Sequence, residues 1–243
     1  MIVGLLHPGE MGSAVGAAAA ANGHEVLWAS EARSDATRGR ASAFRDTGTV
    51  SALVAESDVI LSICPPDAAR EVAAACAGFD GIYVDANAIS PARAQEVAAL
   101  QERFVDAGIV GGPPTEPGTT LYLSGGDAQQ VAGLFAGSLL ETRVVSDASA
   151  LKMVYAAWTK GTAAMLLAIR EVARHFGVED EWRLAAPELL ERLGRAEASA
   201  AKKGWRWWGE MEEIADTFAG AGEPDGFRRA AAEVYRSSRR ART

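Results

Sequence analysis

Short apolar runs alternate with Ala-rich or mixed stretches through the first 145 residues, which predicts a mostly parallel sheet flanked by helices. The runs are rich in β-branched residues and bounded by Gly, Pro or Asp, as expected of strands buried on both faces. The predicted strands are residues 1–6, 25–29, 58–64, 81–85, 104–110, 119–124 and 142–145. The predicted helices are residues 10–21, 41–46, 68–77 with Asp67 as N-cap, 91–103 with Ser90 as N-cap, and 128–139.

The pattern changes near residue 146, after which the chain is helical in composition and has no apolar run of comparable β character. Residues 148–176 predict one long helix, with Ser146 or Asp147 as its cap, and shorter helices follow. We therefore predict two domains, an α/β domain over residues 1–145 and an all-α substrate and dimerisation domain over residues 146–243.

The opening stretch predicts a nucleotide-binding βαβ unit, because a strand, a Gly-containing turn, a helix and a second strand follow one another. Gly9 permits a tight turn near a pyrophosphate, Gly12 lets the helix pack on the sheet, and the helix N-terminus offers N–H donors. His7 takes the place of the first glycine in the fingerprint G-x-G-x-x-G. The first domain is thus predicted to be a doubly wound Rossmann domain whose cofactor turn comprises His7, Pro8, Gly9, Glu10, Met11 and Gly12.

The end of the second strand bears on the choice of dinucleotide. NAD-binding chains usually have an acid there for the ribose hydroxyls, whereas NADP-binding chains have a small polar residue and an arginine. Ser30, Arg33 and Ser34 suit a phosphate, because guanidinium groups match its geometry. Glu31 is the rival, as a ligand of the ribose. The pattern favours NADP(H) over NAD(H).

Composition argues against several other classes of protein. The 243 residues carry a net charge of −8 without a basic domain, which disfavours a nucleic-acid partner. The two cysteines and three scattered histidines lack metal-ligand spacing, so we expect no metal site. No apolar run approaches about 18 residues, so we expect no membrane span and a cytoplasmic location. A Ser–His–Asp hydrolase is disfavoured because the elbow G-x-S-x-G is absent.

Several motifs together resemble the β-hydroxyacid dehydrogenase and imine reductase superfamily, relatives of 6-phosphogluconate dehydrogenase. The resemblance covers about residues 1–175, and residues beyond it look like a less characterised helical domain found on some members. The motifs are HPGEMG at residues 7–12, CPP at 64–66, DAN at 85–87 with SP at 90–91, DAGIVGG at 106–112, TTLYLSGGD at 119–127 and SDASALK at 146–152.

The resemblance implies roles for particular residues. Lys152 matches the family's lysine that acts as general acid/base beside the nicotinamide, which suits hydride transfer because charge develops on the substrate oxygen. Asn87 is a polar contact near the nicotinamide with a catalytic or cofactor role, and Thr159 follows Lys152 on one helix face at about 100° per residue. The remaining expected contacts are Cys64, Pro65 and Pro66 for the cofactor, and Val110, Gly111, Gly112, Tyr155 and Trp208 for the substrate.

Two departures from the family pattern bear on the substrate. Val110 stands where the family has serine, and Ala156 where it has asparagine, so the pocket favours a less acidic substrate than a 3-hydroxy acid. We therefore expect an NADP(H)-dependent oxidoreductase acting on a carbonyl or alcohol carbon, with imine reduction as the alternative. Imine-specialised members commonly replace the lysine that this chain keeps. A catalytically silent NADPH-binding sensor or assembly subunit is the alternative from another class.

The long helix from residue 148 predicts a homodimer, since it is apolar around much of its girth. The cluster of Trp205, Trp207 and Trp208 fits an aromatic end of the substrate pocket, a subunit interface or the core of a small helical domain.

Overall fold

One eight-stranded sheet organises the first part of the chain, in the order β3-β2-β1-β4-β5-β6-β7-β8. Only the pairing of β6 with β7 is antiparallel among the described strands. The strands are β1 (Ile2–Leu6), β2 (Glu25–Trp28), β3 (Arg45–Asp46), β4 (Val59–Ser62), β5 (Ile82–Asp85), β6 (Phe104–Val110), β7 (Thr119–Ser124) and β8 (Leu140–Val144). The prediction of a doubly wound, mostly parallel α/β fold followed by a helical region is confirmed.

The computed structural model describes residues 1–240, and the side chains of residues 1–237. It divides into two units, of which the first is Met1–Lys152 and the second begins at Met153. Helices of the first unit are α1 (Glu10–Ala21), α2 (Asp35–Arg40), α3 (Val50–Glu56), α4 (Ala69–Ala74), α5 (Pro91–Ala98), α6 (Ala128–Gly133) and the start of α7 (Ala148–Ala156). Every helix among the described residues is too short or too polar to span a lipid bilayer.

The central strands of the first unit, such as β4 and β5, are buried on both faces, as their apolar runs predict. Alternate residues of one strand enter opposite hydrophobic clusters: Val59 and Leu61 pack into one, and Ile60 into the other. β5 repeats the arrangement, with Ile82 and Tyr83 in different clusters. Since each such buried aliphatic side chain contributes about 1.5–3 kcal/mol, these central strands form the stable base beneath the residues at their carboxyl ends.

The prediction for residues 31–56 was wrong in detail. The expected loop contains α2, because the Ser34 hydroxyl accepts a hydrogen bond from the Thr37 N–H and caps it. Thr49 likewise caps α3, a helix that the apolar pattern did not predict. The helix expected at residues 41–46 is replaced by the edge strand β3, where Arg45 forms ion pairs with Glu25 and Glu56.

Three other predicted helices differ in extent. Asp67 is not an N-cap but lies inside a 3₁₀ turn, Pro66–Ala68, and α4 begins only after it. Proline at the start of this turn tightens the chain before the helix can form. Helices α5 and α6 end earlier than predicted, whereas Ser90 caps α5 as expected.

The second unit is helical. After α7 comes a π-helical turn, Ala157–Gly161, and then α8 (Thr162–His175). The expected single helix therefore contains one wide turn, and the assumption of a uniform 100° per residue from Lys152 to Thr159 was wrong. The remaining helices are α9 (Glu179–Ala185), α10 (Leu190–Lys203), α11 (Trp207–Gly220) and α12 (Gly226–Arg240).

Candidate active site

The turn between β1 and α1 has the backbone that the missing glycine would have supplied. His7 adopts φ of +64°, a left-handed conformation that most side chains disfavour but histidine tolerates better than β-branched residues. The Gly9 N–H donates to the His7 carbonyl over 2.6 Å and closes the turn. A Cβ on Gly12 would lie 2.7 Å from the same carbonyl oxygen, so glycine is required there. The predicted turn of His7, Pro8, Gly9, Glu10, Met11 and Gly12 thus forms despite the substitution.

Two buried nitrogen atoms beside this turn lack a hydrogen-bond partner among the described residues, His7 Nδ1 and Arg33 Nε. Burial, and secondarily the nearby Arg33 charge, lower the pKa of His7 to about 4, so its ring is neutral at pH 7. A neutral imidazole, a guanidinium and the N-terminus of a twelve-residue helix suit an anion. These residues fit the pyrophosphate and phosphate groups of a dinucleotide.

The loop after β2 uses its polar side chains in different ways. The Glu31 carboxylate accepts the Val50 N–H at 2.6 Å and so caps α3. Ser30 donates its backbone N–H to Asp46 at 3.1 Å, and the Ser34 hydroxyl caps α2. Of the expected phosphate ligands, Ser30 and Arg33 are half-buried, and the charge of Arg33 contributes to the lowered pKa of His7.

One arginine near the turn was not among the predicted ligands. Arg40 donates through Nε to the Pro8 carbonyl over 3.3 Å and so joins the end of α2 to the turn. Recognising Ser34 as an N-cap would have predicted α2 and placed Arg40 in its last turn.

Asn87 is held by a buried network at the ends of β4 and β5. Its side-chain oxygen accepts the Cys64 N–H at 2.5 Å, and its amide nitrogen donates to Asp85 and to Ser62 at 2.9 and 3.2 Å. The network fixes the loop of Cys64, Pro65 and Pro66. Burial, with the Asp85 charge second, raises the pKa of Cys64 to about 12, so its thiol stays protonated.

Lys152 lies in the fifth position of α7 and is half-buried. Its ammonium group donates to the Ile109 carbonyl in β6 over 2.7 Å. The helix approaches the strand closely because Gly108 has no side chain: a Cβ there would lie 2.9 Å from the Lys152 Cβ. A lysine otherwise surrounded by apolar helix residues is therefore held at one defined place on the sheet.

The expected substrate loop follows directly after this point. Val110 is half-buried, while Gly111 and Gly112 are exposed. Gly111 has φ of +126°, and a Cβ there would lie 2.5 Å from the Thr119 hydroxyl, which itself donates to the Gly112 carbonyl. The loop is thus a tight turn in which the backbone requires glycine at position 111, whereas a Cβ on Gly112 would meet open space.

Three expected site residues, Tyr155, Thr159 and Trp208, belong to the second unit. Tyr155 is exposed, and its carbonyl accepts the Thr159 hydroxyl at 3.0 Å. Trp208 is half-buried beneath the Arg236 guanidinium, which lies 4.8 Å from its ring centre.

The second unit also contains an ionic cluster that was not among the predicted site residues. Lys160, in the π-helical turn, forms an ion pair with the buried Glu210 and lies over the Trp207 ring. The Tyr235 hydroxyl donates to the Lys160 carbonyl over 2.7 Å. Since these partners are 47 or more positions from Lys160 in sequence, no local pattern connects them.

A family model described as the NAD binding domain of 6-phosphogluconate dehydrogenase matches residues 2–136. The chain belongs to this family. A second family model, a domain of unknown function, matches residues 173–238. Together they confirm the predicted resemblance and its helical extension of less characterised type.

Similar proteins extend this assignment. An uncharacterised 28.5 kDa protein of Methanothermus fervidus is 34% identical over 151 residues, 60% of this chain; the match spans 57% of that relative's length. A conserved protein of unknown function, described as structurally similar to 3-hydroxyacid dehydrogenases, is 27% identical with a TM-score of 0.73, covering 100% of this chain and 98% of its own.

Two solved enzymes share the fold at lower identity. A 3-hydroxyisobutyrate dehydrogenase of Salmonella typhimurium is 16% identical with a TM-score of 0.73, covering 99% of this chain and 95% of its own. A reductive aminase of Aspergillus terreus, solved with NADPH4, is 17% identical with a TM-score of 0.59, covering 99% and 94%. The family match confirms the predicted NAD(P)-binding domain, and these two enzymes share its fold.

Proposed function

We propose that the protein is an NADP(H)-dependent oxidoreductase that acts on a carbonyl or alcohol carbon, with Lys152 as general acid/base. The observation that carries the proposal is the contact of the Lys152 ammonium with the Ile109 carbonyl, because it holds a proton donor at one place beside the strand that leads into the expected substrate loop. The dinucleotide, when bound, supplies or accepts the hydride.

The chemistry of Lys152 follows from its partner. A carbonyl oxygen is a neutral acceptor, so it orients the ammonium without removing a proton. Lys152 then donates that proton to the substrate oxygen when a carbonyl is reduced, and takes it back when an alcohol is oxidised. Asn87 contributes by fixing the loop of Cys64, Pro65 and Pro66, which the family resemblance places on the nicotinamide side.

A screen of NADPH consumption tests this role, using 3-hydroxy acids in the reverse direction, aldehydes, ketones and cyclic imines. With any active compound, Lys152→Ala should lower turnover about 10²–10⁴-fold. NADPH binding, followed by its fluorescence, should persist. Lys202→Ala, in α10, is the matched control and should keep full turnover. Unchanged turnover in Lys152→Ala would refute the assignment, and NADPH binding without turnover of any compound would favour the sensor or assembly subunit.

The preference for NADP(H) is supported by the loop after β2. Glu31, the expected ligand of ribose hydroxyls in an NAD reader, caps α3, whereas Arg33 has a buried Nε without a described partner. Arg33→Ala should therefore weaken NADPH binding about tenfold and leave NADH binding nearly unchanged, since a charge-assisted contact is lost for one cofactor only. Arg143→Ala, on β8, is the control. Equal affinity of the parent for both cofactors would contradict the preference.

Imine reduction is the second candidate. It is favoured by Ala156, which is almost fully buried, and by Val110, because neither offers a hydrogen bond to a substrate carboxylate. A reductive aminase also shares the fold. The screen decides: faster reduction of cyclic imines than of the matching ketones would favour this candidate, and turnover confined to 3-hydroxy acids would exclude it.

The proposal includes a homodimer formed through α8. Large apolar side chains recur on this helix at spacings of four, three and four residues, which is the pattern of a helix–helix seam. They are Met165, Ile169 and Val172 in α8 and Phe176 at its C-cap, with exposed fractions of 53%, 40%, 58% and 71%. Sedimentation should show a dimer that Val172→Glu converts to a monomer, while Glu171→Gln, a neighbouring surface change, leaves it intact. A monomeric parent at micromolar concentration would contradict the dimer.

A further inference from the structure

A carboxylate in the middle of β6 joins this strand to the first turn of α7. Asp106 accepts hydrogen bonds from the Ser149 hydroxyl and N–H at 2.5 and 2.8 Å, and from the Ser124 hydroxyl at 3.1 Å. The Ser124 oxygen in turn accepts the Ala148 N–H at 3.0 Å. The first two amide groups of α7 have no partner within the helix, and they are thereby satisfied directly or indirectly through Asp106, whereas the Asp147 carboxylate accepts the Ala150 N–H at 2.7 Å.

The same strand and helix meet again one turn further on. Gly108 lies against the Ala148 carbonyl and the Lys152 Cβ, each 2.9 Å from where its own Cβ would be. Beyond it, the Ile109 carbonyl accepts the Lys152 ammonium. Because Ser149 and Lys152 are three residues apart on one helix face, a rotation or shift of the first turn would carry Lys152 away from that carbonyl.

The chemistry of Asp106 suits this task better than that of a neutral residue. A carboxylate only accepts hydrogen bonds. The three groups of Ser149 and Ser124 that contact Asp106, two hydroxyls and one N–H, all donate to it. An asparagine in the same place would turn an NH₂ group toward one of these donors. Hydrogen bonds to a charged acceptor are also stronger than neutral ones, so the first turn is held more firmly than by an ordinary cap.

We propose that Asp106 is a positioning residue for Lys152, fixing the first turn of α7 through Ser149 so that the ammonium stays on the Ile109 carbonyl. The functional part of this inference rests on the general acid/base role proposed for Lys152. A displacement of a proton donor by about 1 Å is enough to lower a rate by roughly 10²-fold, so a remote anchor of this kind influences turnover without touching the reacting atoms.

Chemical labelling of lysines tests the positioning without any substrate. The protein is treated with acetic anhydride at low stoichiometry, and mass spectrometry compares Lys152 with the exposed Lys202 as internal reference. In Asp106→Asn we expect Lys152 to be labelled about tenfold faster relative to Lys202, because a charge-assisted anchor is lost. Ser149→Ala, the milder variant in case Asp106→Asn fails to fold, should give about a threefold increase.

The matched control is Ser138→Ala, which removes a half-buried hydroxyl from the turn before β8. Its Lys152 labelling should equal that of the parent. Unchanged Lys152 labelling in folded Asp106→Asn, or in folded Ser149→Ala where the first variant does not fold, overturns the proposal.

A double-mutant cycle on turnover separates this inference from the proposed function. With an active compound from the screen, Asp106→Asn should lower kcat about tenfold with a smaller change in KM, and should have no further effect in the Lys152→Ala background. An equal loss in both backgrounds overturns the positioning role. Full activity of Lys152→Ala overturns the general acid/base role instead, and the labelling result then still decides whether Asp106 positions the lysine.

Discussion

Replacing His7 by asparagine should remove part of the acid sensitivity of the first unit. In the folded chain the pKa of His7 is about 4 instead of the ordinary 6.5, chiefly because burial disfavours the charged ring, and secondarily because Arg33 is nearby. Above pH 6.5 the ring is neutral in both folded and unfolded chains, so its contribution to stability is fully present. As the pH falls toward 4 the unfolded chain binds the proton first, and stability is lost.

The size of the effect follows from the same numbers. A difference of one pH unit between folded and unfolded pKa values corresponds to about 1.4 kcal/mol, which sets an upper limit of about 3 kcal/mol for His7. The ring is only half-buried, and solvent screening reduces this to about 1–2 kcal/mol. Asparagine tolerates the φ of +64° and does not titrate, so the substitution leaves the turn in place.

Because the chain has two units, the assay must report the first one alone. Pulsed hydrogen exchange of the peptide covering β1, measured in urea at several pH values, does so. Between pH 7 and 5 the parent should lose about 1–2 kcal/mol more of its unfolding free energy than His7→Asn. Between pH 7 and 8 the two should run parallel, which is the internal control. Equal losses between pH 7 and 5 would refute the assignment of a neutral, buried imidazole.

Three further predictions concern single contacts. Gly12→Ala places a methyl group 2.7 Å from the His7 carbonyl oxygen, so it should lower stability by about 1–3 kcal/mol in urea titrations and should weaken NADPH binding. Gly209→Ala, whose methyl group meets open space, is the control, and equal stability of the two variants would contradict this prediction. Burial raises the pKa of Asp85 to about 7, so the parent should lose stability as the pH rises from 3.8 to 7. Asp85→Asn should not lose stability over this range, and urea midpoints that run parallel in the two proteins would disprove this prediction. Tyr235→Phe removes a buried hydrogen bond and should lower the stability of the second unit by about 1 kcal/mol, which an unchanged unfolding midpoint would exclude.

The central strands could be predicted from sequence because their apolar runs are continuous and ended by Pro or Asp. Ser90 followed by Pro91 likewise predicted the start of α5, since both the cap and the fixed φ are local signals. Helices α2 and α3 were missed because they have only six and seven residues, too few for a helical period to stand out, so that only Ser34 and Thr49 marked them.

The contacts that build the site have no such local signal. Asp106 and Ser149 are 43 positions apart in sequence, as are Ile109 and Lys152. All four residues belong to predicted motifs, but the motifs alone do not predict which residues contact one another. The left-handed φ of His7 could be anticipated only from the place it takes in the glycine fingerprint. Sequence therefore predicts the strands and the candidate residues, whereas pairing across the sheet decides their roles.

The sheet itself explains why two carboxyl groups, the buried one of Asp85 and the half-buried one of Asp106, lie side by side near the candidate site. Asp85 and Asp106 are register partners on β5 and β6, and each faces a different set of donors. Asp85 accepts from Asn87, which holds the Cys64 loop, while Asp106 accepts from Ser149, which begins α7.

Burial raises the pKa of both carboxyl groups, and the charge of Asp106 adds to the effect on Asp85. Two like charges so close would destabilise the fold unless donors offset them, and the donors that do so are the residues that fix the loop and the helix. The two acids on neighbouring strands thus each hold one part of the site, the Cys64 loop in one case and the start of α7 in the other. It follows that removing the Asp85 carboxyl group should first disturb the Cys64 loop, whereas removing the Asp106 carboxyl group should first disturb α7, which carries Lys152.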